Sequence, residues 1–285
     1  MTIDYDALKA WDFGEHHVDW MWQDSALYAL GCGLGHDPLD PDQLRFTCEK
    51  NMLALPTMAV VMSPSGFWLH DPATGVDWKR VVHGEESLIL YRPLPPEGQF
   101  VTRSRIDEII DKGEGRGALI YITREVSDAK SGDLMATVRR TTFARGDGGF
   151  GGPDGPVRPV HTLPDREPDH VCDLSTLPQH ALIYRMSGDL NPLHADPDVA
   201  REAGFDRPIL HGLCTFGVAG HAVVKTLCGY DPSRLRRFDV RFSAPVFPGE
   251  TIRTEMWVDG TTVSFRARIA DRDAVVLNNG LAEVA

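Results

Sequence analysis

A chain of 285 residues with 42% apolar and 25% charged residues has the make-up of an ordinary globular protein, which excludes wholesale disorder. Its length suits one large domain or two of about 140 residues each. The net charge of −12 opposes non-specific attraction to nucleic acid, and no stripe of Lys and Arg stands out to track a phosphate backbone.

Cys32, Cys48, Cys172, Cys214 and Cys228 make an odd count without C-x-x-C spacing, so neither a disulfide framework nor a zinc site is expected. The opening MTIDYDALKAWDFGEHH is acidic and lacks the basic start and apolar core of a signal peptide. No apolar stretch is long enough to span a bilayer, and the closing AEVA is not a peroxisomal address. The expectation is a reduced, cytoplasmic protein without a membrane partner.

Along the first half, apolar spacing predicts helices over residues 24–30 and 51–62, with Pro56 bending or interrupting the second. Strands are expected over 87–91, 102–111, 117–127 and 135–143. Residues 144–169, ARGDGGFGGPDGPVRPVHTLPDREPD, are dense in Gly and Pro and read as a linker over the surface. The domain boundary therefore falls within 146–169, leaving units at 1–145 and 170–285. In the second half, helices are predicted over 197–202 and 212–227, the latter apolar nearly all round, as for a helix buried in a core. Strands follow over 237–243, 251–258, 261–270 and 274–284.

The halves echo each other. ALYALGCGLGHDP and SLILYRPLPPEGQFVTRSRI in the first find counterparts in ALIYRMSGDLNPLHADP and FDVRFSAPVFPGETIRTEMWV in the second. Pairing Tyr28 with Tyr184 and Pro93 with Pro245 gives offsets of 156 and 152 residues, nearly constant. The plan is α+β, a sheet wrapped around a buried helix and built twice.

The chemistry concentrates in YRMSGDLNPLH, from Tyr184 to His194, and in PILHGLCTFGVAGHAVV, from Pro208. Asp189 and His194 stand on one short Pro-bounded segment, a carboxylate and an imidazole suited to acid/base work. Asn191 can orient a side chain or water through its amide, and Pro192 stiffens the segment. Gly212 follows His211 at a helix start, where its backbone N–H is available to an oxyanion. Opposite Asp189 and His194 the first half carries Gly33 and Pro38, so one site per chain is expected.

The runs Y-R-M-S-G-D-L-N-P-L-H-A-D-P and A-G-F-D-R-P-I-L-H-G-L-C-T-F-G closely resemble the MaoC-like (R)-specific enoyl-CoA hydratases, including the hydratase part of peroxisomal multifunctional enzymes. The resemblance implies a tandem, or double, hot-dog fold and a homodimer. It also implies addition of water to trans-2-enoyl-CoA to give (3R)-3-hydroxyacyl-CoA, or the reverse. Asp189, His194 and Asn191 are then the catalytic side chains, with the Gly212 N–H polarising the thioester carbonyl. Arg234, Arg236 and Arg237 become candidates for an anionic CoA, or else surface partners of carboxylates. Leu210, His211 and Pro56 join the substrate-binding set. The apolar run LALPTMAVVM around Pro56 is either acyl-tunnel lining or core.

No cofactor is expected, CoA being part of the substrate, and no metal, since hydrogen bonds activate the carbonyl. His211, His221, Asp196 and Asp198 have no H-E-x-x-H or comparable spacing. Glu49 resembles an acidic position of the two-unit members and equally reads as a surface residue, while His83 and Glu85 of the H-G-E segment read as structural. Two rivals remain: a hot-dog acyl-CoA thioesterase, and a non-catalytic acyl-CoA binding module.

Overall fold

The computed structural model describes residues 2–63 and 67–285. The first half supplies α1 (Tyr5–Lys9), β1 (Glu15–Trp20), α2 (Trp22–Leu30), α3 (Pro41–Leu44), β2 (Val81–Leu90), β3 (Gly98–Asp111), β4 (Ala118–Asp128) and β5 (Leu134–Ala144). The second supplies β6 (His170–Ser175), α4 (His180–Tyr184), α5 (Pro197–Glu202), α6 (Gly212–Cys228), β7 (Leu235–Phe242), β8 (Thr251–Asp259), β9 (Thr262–Ile269) and β10 (Ala274–Val284).

The ten strands of the described residues pair antiparallel in one sheet, ordered β1-β3-β4-β5-β2-β7-β10-β9-β8-β6. Counted outward from the centre, the halves run β2-β5-β4-β3-β1 and β7-β10-β9-β8-β6, the same order twice. The internal repeat is thus a repeat of topology, and the fold is a tandem hot-dog. Pairing of β2 with β7, with Glu86 opposite Val240 and Leu88 opposite Phe238, fuses the two sheets.

Helix α6 lies in the concave side of this sheet. Cys214 through Val224 are buried along it, because a segment apolar on every face has no side to give to water. Phe216, Val218 and Val223 share a cluster with Leu88, Phe100, Phe238 and Phe265, each fully buried large side chain contributing roughly 1.5–3 kcal/mol. Gly217 and Gly220 are what bring the first half close. A Cβ on Gly217 would collide with the Cys32 sulfur, and one on Gly220 would sit 2.5 Å from Thr57 Cγ2.

The helix expected over 51–62 is instead a five-residue 3-10 turn, Pro56–Val60, with Pro56 in its first turn. Proline fits a helix start, where no N–H is needed, but blocks a helix from running through it. Its residues are all buried and pack against α6, so Pro56 and its neighbours belong to the core. The carbonyls at the end of α2 are met by the second half. Gly31 O accepts from His180 Nε2 (3.0 Å) and Cys214 Sγ (3.2 Å), and Cys32 O from His221 Nδ1 (3.1 Å).

The Gly/Pro-rich connection runs over the opposite face of the sheet and is pinned there. The Asp111 carboxylate accepts from the Gly149 and Gly151 N–H groups at 2.7 and 2.8 Å. Arg158 pairs with Asp107 at 2.8 Å, His161 bonds Ser264 at 2.7 Å, and the Trp257 indole donates to Arg166 O at 2.7 Å. Strands β1 and β6, absent from the sequence-based expectations, are the two outer edges of the sheet. Their sequences, EHHVDW and HVCDLS, are short and carry charged or polar residues at half or more of their positions, as edge strands commonly do.

Candidate active site

The segment between α4 and α5 folds on its own polar side chains. Tyr184 ends α4 fully buried, and Gly188 takes a left-handed φ of 112° that turns the chain back. The Asp189 carboxylate accepts the Asn191 N–H at 3.2 Å, and Asn191 Oδ1 caps the following 3-10 turn, Pro192–His194, through the Leu193 N–H at 3.0 Å. These two turns aim His194 inward, leaving it 8% exposed, while Asn191 itself faces solvent.

His194 Nδ1 donates to Ile209 O at 2.9 Å, which leaves Nε2 with its lone pair. His211 Nε2 donates to the Asp189 backbone carbonyl at 3.1 Å, and its Nδ1 is buried without a partner among the described residues. The two rings lie 3.8 Å apart between centroids, tilted by 30°. Burial pulls both imidazoles below their ordinary value, His211 to about 4 with the adjacent His194 adding to the effect. Both are neutral at pH 7, and His194 offers a basic nitrogen beside the Asp189 carboxylate.

Gly212 opens α6, so its N–H has no acceptor within the helix and carries the positive end of the helix dipole. A Cβ here would stand 3.2 Å from Phe242 Cε1, so the glycine keeps the helix start close to that ring. The site is thus a carboxylate, a neutral imidazole and a helix N-terminus brought together: a proton-transfer pair next to an oxyanion donor.

Of the other expected residues, Leu210 is buried and its N–H donates to Val246 O at 2.7 Å, fixing the approach to α6. His211 touches Asp189 and His194 directly. The arginine group does not come to this centre. Arg234 Nη1 donates to Leu227 O at 3.0 Å at the far end of α6, roughly 25 Å along a helix of this length. Arg237 is paired with Asp239 at 2.7 Å and Glu283 at 3.5 Å, while Arg236 is half-buried on β7. Pro56 stands in the core turn, and Glu49 is exposed.

Three further side chains adjoin the site. On β2 the carboxylate of Glu86 is completely buried; it accepts from His83 Nε2 at 2.7 Å and from Arg140 Nε at 3.1 Å. Burial alone would raise this carboxyl, but the Arg140 charge and His83 hold it down to about 2. The His83 ring lies 4.4 Å from that of Phe242, which packs on Gly212. The run from His83 to Glu86, H-G-E-E, did carry a signal, since an acidic residue on the inward face of a central strand requires a buried partner.

Asp189, His194 and His211 are also the group among the described residues with metal-ligand character, their ligand atoms lying within 4.8 Å of one another. Linear spacing concealed this trio because His211 joins it from the other side of α5.

Fold and site together define a double hot-dog protein in which a carboxylate and two stacked imidazoles gather near the start of its long buried helix. The MaoC like domain pattern matches residues 159–279 and the MFE-2 hydratase 2 N-terminal domain pattern residues 19–146. The sequence is 36% identical to the peroxisomal enoyl-CoA hydratase 2 of Arabidopsis thaliana, over 95% of this chain and 93% of the relative. It is 39% identical to 3-hydroxyacyl-thioester dehydratase Y of Mycobacterium tuberculosis, over 93% of each. A crystal structure of a MaoC-like dehydratase from Phytophthora capsici superposes with a TM-score of 0.86 at 32% identity, over 98% of both chains. The chain belongs to the MaoC-like hydratase and dehydratase family, in its two-unit hot-dog form.

Proposed function

We propose that this protein catalyses the reversible syn hydration of trans-2-enoyl-CoA to (3R)-3-hydroxyacyl-CoA. The observation that carries the reading is the convergence of the Asp189 carboxylate, the unprotonated His194 Nε2 and the first turn of α6. Relatives over nearly the whole chain, named enoyl-CoA hydratase 2 and 3-hydroxyacyl-thioester dehydratase, support it.

In this scheme the Gly212 N–H and the helix dipole hold the thioester oxygen as negative charge develops there. Water between Asp189 and His194 adds its oxygen to Cβ as the double bond opens, and the proton balance is closed by delivery of one proton to Cα. Asp189 and His194 handle these protons as a coupled pair. Asn191 shapes the Asp189 turn through its backbone and carboxamide oxygen. His211, neutral and stacked on His194, keeps a second positive charge out of the site.

The proposal requires no cofactor beyond the CoA of the substrate. A homodimer is part of it, on the family resemblance. So is a cytoplasmic location, supported by five cysteines that are all free. Among the described residues no helix is long and apolar enough to cross a membrane. The decisive experiment follows loss of enoyl-thioester absorbance, coupled to (3R)- and (3S)-specific dehydrogenases, for wild type and Asp189→Asn. Formation of the (3R) product that collapses in the variant is expected. Release of free CoA would point to a thioesterase, and absence of turnover to a binding module.

A further inference from the structure

Beside the catalytic centre, on the concave side of the first-half sheet, lies a cavity of about 550 Å³, a size typical of small-molecule sites. Trp11, Phe13, Trp68, Ile122 and Val138 give it largely apolar walls. Its floor is different. Arg124 on β4 and Arg140 on β5 both line it, on the inward face that Ile122 and Val138 share by strand alternation.

Arg140 keeps 35% of its side-chain surface accessible although it is ion-paired to a fully buried Glu86; that surface faces the cavity. Its Nε and Nη2 are spent on Glu86, and Nη1 has no partner among the described residues. Arg124 Nη2 donates to Ala59 O and Val60 O at 3.2 and 2.7 Å, closing the end of the 56–60 turn. Its Nε is buried and unpartnered among the described residues.

Among the described residues no carboxylate is hydrogen-bonded to Arg124, and Glu86 acts on it only from a distance. Glu86 is claimed by Arg140 and His83. Asp12 and Asp71, the acidic residues that line the cavity, are exposed and cap their own turns through the Gly14 and Ala73 N–H groups. Burial first, and the Arg140 charge second, draw the Arg124 guanidinium down to about 10 against the opposing pull of Glu86. An acyl chain could hide its methylenes against the aromatic walls, but a methyl end on this floor would leave guanidinium donors dry and unpaired, which is costly.

The cavity connects to the chemistry through contacts already described. Arg140 meets Glu86, Glu86 meets His83, His83 packs on Phe242, and Phe242 lies against the Gly212 helix start. Against the lowering effect of burial, the Asp189 carboxylate is close enough to raise the Arg140 guanidinium, behind the contribution of Glu86, so the arginine end of the cavity and the catalytic centre are neighbours.

We infer that this cavity receives the tail of the acyl group and that Arg124 and Arg140 select tails ending in a carboxylate, so that the preferred substrates are ω-carboxy enoyl-CoA thioesters. The inference rests on the hydratase reading above and adds the substrate class to it.

The test compares kcat/KM for trans-2-enoyl-CoA thioesters of matched length ending in methyl or in carboxylate, over a series of chain lengths. The wild type is expected to favour the carboxylate member at the best length by about tenfold or more, as for a site built around buried donors. Arg124→Met is expected to lower the carboxylate-to-methyl ratio by about tenfold, and Arg124→Lys to retain part of it. Because the ratio is taken within one protein, a general loss of folded enzyme cancels. Equal rates, or preference for the methyl series at every length, overturn the inference and leave the hydratase reading standing. No turnover with either series overturns both.

Discussion

His194 and His211 lie ring on ring, 3.8 Å between centroids, each held by a hydrogen bond from one nitrogen to a backbone carbonyl. Two imidazolium ions could not share that arrangement, so the stack keeps at least one ring neutral, and burial keeps both so.

The acid limb of catalysis should therefore sit low. With the His194 pKa below 6.5, its neutral form persists as pH falls through 6.5, and activity should decline only below that point. A pH profile of kcat/KM checks this; an acid midpoint at or above 6.5 would show that a depressed His194 does not set the acid limb.

Loss of either member of the acid/base pair should remove chemistry rather than fold. Asp189→Asn and His194→Gln are each expected to lower kcat by about a hundredfold to ten-thousandfold. The half-exposed Asp189 should be the milder of the two in a melting experiment. An Asp189→Asn variant with near wild-type turnover would remove the carboxylate from the mechanism.

Stability should fall as pH drops, and the sign follows from the depressed histidines. Above 6.5 neither the folded nor the unfolded polypeptide protonates them. Between about 6.5 and about 4 the unfolded polypeptide binds protons that folded His221 and His211 refuse, so unfolding becomes easier; below about 4 the loss stops growing. Each contributes on the order of 3 kcal/mol to that loss. His221→Gln should flatten the fall of melting temperature between about pH 7 and about pH 5, and an unchanged slope would count against it.

At Gly217 close packing and helix propensity oppose each other. Alanine would gain about 1 kcal/mol of helix propensity. Its methyl would also drive into the Cys32 sulfur and approach the Tyr28 hydroxyl to 3.0 Å in a fully buried contact. Overpacking of about 1–3 kcal/mol should win, giving a net loss of about 1 kcal/mol in denaturant unfolding of Gly217→Ala. Adding Cys32→Ala should restore it, whereas a stabilised single variant would mean the halves can separate there at little cost.

Metal removal separates the two chemical uses of the Asp189, His194 and His211 trio. If hydrogen bonds activate the carbonyl, dialysis against a chelator leaves turnover unchanged, and added zinc inhibits by occupying His194 Nε2 and the Asp189 carboxylate. Activity lost to the chelator and restored by one metal would make that ion part of the mechanism.

Much of this was legible in the linear sequence. Strand alternation, an all-apolar helix and a nearly constant offset between halves specified the repeated sheet and α6, because side-chain periodicity is local information. The turn that holds Asp189, Asn191 and His194 and the helix start at Gly212 were legible because each is specified by a short run of residues. The edge strands β1 and β6 were not, since a strand paired on one side needs little apolar signal. Nor was the 3-10 turn at Pro56–Val60, where a helix-like apolar run met a proline and yielded to packing against α6. The stacking of His211 on His194 and the Glu86–Arg140–His83 cluster were decided only in three dimensions. So was the placing of Arg234 at the far end of α6 and the pairing of Arg237 with Asp239 and Glu283. Sequence determines what each residue can offer; which residues meet is set by sheet pairing between β2 and β7 and by the burial of α6, both of which join segments far apart in the sequence.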